Sequence, residues 1–193
     1  MRRRWFCAII QSGCFVALLA GVTLVNTARK GFSGASPSCH PTDEKVEKLL
    51  STLRDKRLRE SDPTRLVEAI QQLGRMKAAA AIADLVDLLT FRRTWPWETP
   101  GGPIDEIHTI TPAGRYPAVG ALMEIGKPSV PAVTKVIEEK ASDSLEVANA
   151  LEVVRFIFRE RPPAAVEYLQ GAAAKAASTE TAERLRKAAE KLK

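Results

Sequence analysis

The side chains best suited to chemistry gather in one stretch: Asp105, Glu106 and His108, with Trp95 and Trp97 a short way upstream. Two carboxylates beside an imidazole are the ligand types of a divalent metal site, and the same groups could share acid–base work. The chain has only two histidines, the second being His40 next to Cys39. Neither sits in a His-x-x-x-His or Cys-x-x-Cys spacing, so nothing would present several ligands on one helix face, and no metal is expected. Cys39-His40 also lacks the Cys-x-x-Cys-His pattern of haem attachment. Gly126-Lys127 suggests the end of a phosphate loop, but Gly120 is one residue too distant and Pro128 stands where a hydroxyl is required. No Gly-x-Ser-x-Gly elbow marks a nucleophile. We therefore assign no catalytic residue, expect no cofactor and no small-molecule substrate, and expect the chain not to be an enzyme.

The tryptophans point to a different use of the same stretch. Residues 92–114 connect two helical patterns with more chain than packing requires, and long connections of that kind are usually functional or disordered. Disordered segments tend to avoid aromatic residues, whereas two of the three tryptophans lie here. Trp95 and Trp97 would act as rigid anchors for a partner protein, flanked by Arg92, Arg93 and His108, because indole rings bury much area at little entropic cost. The alternative is that they plug a groove between helices. Thr94–Glu98 and Glu106–Ile110 could also pair as a hairpin around Pro100-Gly101-Gly102-Pro103.

The elements that must position this loop are helices. Thr42 is expected as an N-cap, followed by the face Val46, Leu49, Leu50 and Leu53 in a helix ending near Arg59. Asp62-Pro63 is a cap followed by a helix-opening proline; Leu66, Val67, Ile70 and Leu73 form the stripe, and Gly74 is expected to stop it. A partner helix over Ala79–Phe91 carries Ile82, Leu85, Val86 and Leu89 inward. Downstream, Ala118, Ala121, Leu122 and Ile125 precede the stop Gly126, and Val130, Val133, Val136 and Ile137 line the next helix. Further helices are expected from Ser142 to Glu160, from Pro163 to Ala177, and from Thr179 to Leu192, the last with the charged exterior of a terminal element.

Ala69-Ile70-Gln71-Gln72-Leu73-Gly74 and Ala121-Leu122-Met123-Glu124-Ile125-Gly126 repeat one design, each followed by a second apolar helix. Over residues 66–170 this resembles HEAT repeats, in particular the short bacterial kind related to phycobilisome-lyase repeats. The resemblance implies an all-α fold, a short α-solenoid of antiparallel helix pairs, and a surface for binding another protein. Its lyase relatives imply an enzyme alternative using Asp105, Glu106 and His108.

Ahead of the body, Met1-Arg2-Arg3-Arg4 precedes Trp5 to Val25, 21 residues without a charge, closed by Arg29-Lys30. As a helix it would be about 31 Å long, enough for a bilayer core. It is expected to be a signal anchor, with the arginines cytoplasmic and the body outside; a cleaved signal ending near Ser33-Gly34-Ala35 and a secreted or periplasmic product is the alternative. Gln11-Ser12-Gly13-Cys14 is not a lipobox, because the apolar core follows the cysteine. The segment also explains the net charge of +6: five of the 29 basic residues lie at positions 2–4, 29 and 30, and no acidic residue precedes Asp43. The remainder is nearly neutral, which argues against nucleic acid as a partner.

The expected organisation is thus a membrane-directing segment over 1–30, a linker over 31–41, and a helical repeat domain over 42–193 interrupted by the 92–114 loop. The expected function is a bacterial protein-binding scaffold held at a membrane through residues 5–25. A purely structural spacer remains an alternative.

Overall fold

Prolines open several of the helices, since the N–H they lack is one that a helix start leaves unpaired anyway. The computed structural model describes residues 41–94 and 111–193, which belong to one compact unit spanning Cys39–Lys193. Among the described residues ten α-helices follow one another: α1 Pro41–Arg54, α2 Leu58–Ser61, α3 Pro63–Arg75, α4 Ile82–Val86, α5 Pro112–Arg115, α6 Pro117–Ile125, α7 Val130–Glu139, α8 Leu145–Ile157, α9 Pro162–Lys175 and α10 Thr179–Glu190. No strand occurs among the described residues.

Side-chain caps explain several of the starts. Asp62 accepts a hydrogen bond from the Arg65 N–H at 3.0 Å, and Ser144 and Ser178 do the same for Val147 and Thr181. Each satisfies one of the donors a helix N-terminus leaves free. The expected stop at Gly126 is also present: its φ of +80° ends α6, a conformation that favours glycine.

Four local expectations are corrected. Thr42 lies inside α1 and is not its cap. The first helix does not reach Arg59, because the Asp55 carboxylate accepts from the Arg57 N–H at 3.1 Å and turns the chain before α2. The partner of α3 is shorter than Ala79–Phe91: a 3-10 turn over Ala79–Ala81 leads into α4, and beyond it bonds from Leu88 to Leu85 and from Leu89 to Val86 keep tight turns in place of helix. Gly74 does not stop α3. The helix continues through Arg75, and Lys77, with φ of +50°, makes the turn that a glycine was expected to make.

The apolar stripes meet in one core. Leu66, Ile70, Leu73, Leu85, Leu122, Val133, Leu169 and Leu185 are completely shielded from solvent. Each such leucine contributes roughly 1.5–3 kcal/mol of burial. Most of the packing joins helices that are not adjacent in sequence: α1 packs on α3 and α4, α3 on α6, and α6 on α8, while α4 packs on α7 and α7 on α10. The tail helix α10 lies against α9 and α7 and buries Ala182, Leu185, Ala188 and Ala189. Polar ties also cross between helices. Arg54 grips Asp84 with Nη2 to Oδ2 at 3.0 Å, joining α1 to α4, and Arg184 donates to the Glu138 carbonyl at 2.9 Å, joining α10 to the end of α7.

Candidate partner-binding surface

The connection between α4 and α6 is closed at its base by backbone. Arg93 N–H donates to the Arg115 carbonyl at 2.9 Å, so the two ends of the intervening stretch leave and return side by side. The returning end is shaped locally. Thr111 caps α5 by accepting from the Gly114 N–H at 3.2 Å, Pro112 opens that turn, and Tyr116 ends it just before Pro117 begins α6.

On either side of this base the surface is concave. One depression of about 340 Å³ lies between the first turns of α3 and the departing chain, with Thr64, Val67, Glu68 and Gln71 on one wall and Arg93 and Thr94 on the other. A second, of about 370 Å³, lies between α3 and the returning chain, bounded by Gln71, Arg75, Gly114, Gly120 and Glu124. Gln71 borders both, so the exposed side of α3 carries a continuous shelf whose middle is an amide that can donate and accept. The shelf mixes charges, Glu68 with Arg93 and Arg75 with Glu124, over small apolar residues. Such a lining suits the backbone and mixed side chains of a polypeptide.

The depth of that shelf follows from Gly74. A Cβ placed there would stand 2.7 Å from the Ala121 Cα and 2.9 Å from a carboxylate oxygen of Glu124. Only glycine lets α3 and α6 approach this closely, and the approach sets the width of the second depression.

Arg92 is exposed and Arg93 half-buried at the loop base. Trp95, Trp97, Asp105, Glu106 and His108 lie outside the described residues, as do Cys39, His40, the 5–25 segment and the suggested hairpin. Among the described residues no group of three His, Cys, Asp or Glu side chains could hold a metal ion, and no helix is long and apolar enough to cross a membrane. An electrostatic perturbation lies elsewhere. Hydrogen bonds from Arg57 hold the Asp55 carboxyl below the usual carboxylate range, on an exposed turn that borders neither depression.

Two features of the surface were not anticipated from the sequence. Glu68, Gln71 and Arg75 face outward on α3, and their spacing is that of an ordinary solvated face. At the far end of the chain, Phe156 is 41% and Tyr168 36% exposed. Arg159 lies over the Phe156 ring at 4.1 Å, and Phe158 contacts Tyr168 with ring centroids 5.9 Å apart. The available signal was that Phe156 falls off the buried stripe of α8, which runs through Val147, Ala150, Leu151 and Val154.

The described residues define an all-helical protein whose helices pack against one another. Comparison with family models, with curated proteins and with solved structures finds no match for this chain. The resemblance to HEAT-like repeats therefore rests on the repeated segments themselves.

Proposed function

We propose that this protein is a non-enzymatic scaffold that binds another protein along the α3 shelf and the adjoining 92–114 loop, and that residues 5–25 hold it at a membrane with the body exported. The observation that carries the reading is the shelf itself, open to solvent and running past both ends of a loop that is closed at its base by the Arg93–Arg115 bond. Packing of α3 on α6 and α6 on α8 in one row, and of α4 on α7 and α7 on α10 in another, supports a short solenoid of paired helices. Such stacks present extended surfaces instead of enclosing clefts. In this arrangement Trp95 and Trp97 supply the anchors, Arg92, Arg93 and His108 the polar rim, and Gln71 the central hydrogen-bonding group.

The test is photocrosslinking of the full-length chain in native membranes from a probe residue at Gln71, with Trp95→Ala/Trp97→Ala as the comparison. The expected result is a discrete adduct of one partner at position 71 that disappears in the double variant while far-UV helicity is unchanged. No adduct at position 71, or the same adduct in both chains, refutes the assignment.

A further inference from the structure

α9 has one buried edge and one bare one. Ala165, Leu169 and Ala173 repeat every four residues and pack inward. Two residues further round, Glu167, Gly171 and Lys175 repeat at the same interval on the opposite side, and all three are exposed. Gly171 is the informative one. Glycine in a helix interior is less favourable than alanine by roughly the largest margin of any residue but proline, and here no neighbour requires it, since a Cβ at this position would meet nothing within 4 Å. Gly74 shows the contrast: there an internal neighbour fills the space.

We infer that the exposed edge of α9 is a self-association surface, occupied by α9 of a second copy of this chain in antiparallel two-fold pairing centred on Gly171. Charge decides the occupant and the direction. In antiparallel register about residue 171, a residue some number before it faces the residue the same number after it on the other chain. Glu167 then faces Lys175 of the second copy, and by symmetry Lys175 faces its Glu167. Parallel pairing would set Glu167 against Glu167 and Lys175 against Lys175, two repulsive contacts in place of two attractive ones. The same register brings Tyr168 over Ala174, a flat ring onto a small side chain, with Phe158 already bracing that ring from its own chain. Gly171 meets Gly171 at the crossing, where the absence of side chains lets the two helices come closer than the usual 8–10 Å between axes. The Glu167 carboxylate is held in place by Arg161 at 3.4 Å but stays 63% exposed, so it can take a second cation.

The surface is distinct from the α3 shelf, and its test does not depend on that reading. The full chain is prepared as an equal mixture of 15N-labelled and unlabelled copies and treated with a carbodiimide, which joins a carboxylate directly to an amine. Within one helix Glu167 and Lys175 are about 12 Å apart along the axis, too far for a direct amide. The expected product is a Glu167–Lys175 crosslink joining a labelled to an unlabelled chain. In sedimentation experiments Glu167→Lys and Lys175→Glu each weaken association by about tenfold or more, because symmetry counts every lost pair twice, and the double exchange restores it. Gly171→Leu, which has free space within its own chain, abolishes association without loss of helicity. Absence of the mixed-isotope crosslink overturns the inference. So does association that ignores all of these substitutions, which would place it on another segment such as residues 5–25.

Discussion

Gly74 and Gly171 are both helix-interior glycines, and replacing each by alanine separates two effects that usually arrive together. In either helix the substitution removes backbone freedom from the unfolded chain and adds a favourable helix former, a gain of about 1 kcal/mol. At Gly171 nothing opposes the gain, because the new methyl group meets open space. At Gly74 the methyl group would stand 2.7 Å from the Ala121 Cα and 3.0 Å from its Cβ, against a normal carbon separation near 3.5–4.0 Å. The closest atom belongs to backbone, so no side-chain rotation relieves it, and α3 and α6 must part by several tenths of an ångström or more. Overpacking of this kind costs about 1–3 kcal/mol. Gly171→Ala is therefore expected to raise the melting temperature and Gly74→Ala to lower it, with the two variants about 2 kcal/mol apart. For a chain of this size that is roughly 4–8 °C. The assay is thermal unfolding followed by far-UV circular dichroism, at concentrations too low for self-association. Adding Ala121→Gly to Gly74→Ala recovers only part of the loss, since the nearest atom is a Cα that glycine retains. A Gly74→Ala chain as stable as Gly171→Ala would refute the close-approach argument for α3 and α6, and with it the account of the shelf.

Other perturbations read other parts of the stack. Lys77 closes α3 in a left-handed conformation, with its N–H on the Gly74 carbonyl at 2.8 Å and the Ala78 N–H on the Leu73 carbonyl at 3.0 Å. Lys77→Gly is expected to stabilise by about 0.5–1 kcal/mol, Lys77→Val to do the reverse, and denaturant midpoints that fail to move in opposite directions would count against the turn. Asn149, buried on α8, donates to the Leu89 carbonyl at 2.7 Å across sixty positions of sequence. Asn149→Ala leaves that carbonyl without its partner and is expected to cost about 1–3 kcal/mol, with amide exchange quickening around residues 89–93; unchanged exchange there would show the bond to be dispensable. Because Arg57 holds the Asp55 carboxyl below its ordinary value, the turn is strengthened above the unfolded carboxylate pKa of about 3.9 and loses that support as pH falls through the lower folded value. In Arg57→Ala the Asp55 carboxyl should titrate higher by NMR, and an unmoved midpoint would remove Arg57 as the cause.

Local signals were legible where the deciding contact is close in sequence. Asp62-Pro63 starts a helix and Gly126 ends one, since a cap needs only residues three or four positions away. The apolar stripes of α3, α6 and α7 likewise appear where expected, because periodicity alone identifies a buried face. Gly74 was misjudged for the opposite reason. A glycine closing an apolar run is indistinguishable, by sequence, from a stop, and the residue that requires it, Ala121, lies on another helix. The parallel with Gly126 concealed that one glycine makes a turn and the other a contact. Lys77 gave no warning, because a lysine in left-handed conformation is imposed by the packing of its neighbours. The shelf was hidden too: Glu68, Gln71 and Arg75 border a concavity only because α5 and the loop base happen to stand opposite them.

The bond between Arg93 and Arg115 has a consequence for how this chain can change over evolutionary time. By joining residues 93 and 115 at 2.9 Å it fixes the separation of the two ends whatever lies between them. Doubling the length of a flexible loop with fixed ends adds only about 0.6 kcal/mol of closure entropy. New peptide, even a small folded module, can be grafted there without asking the surrounding helices to rearrange, so recognition can diversify while the stack that carries it stays the same.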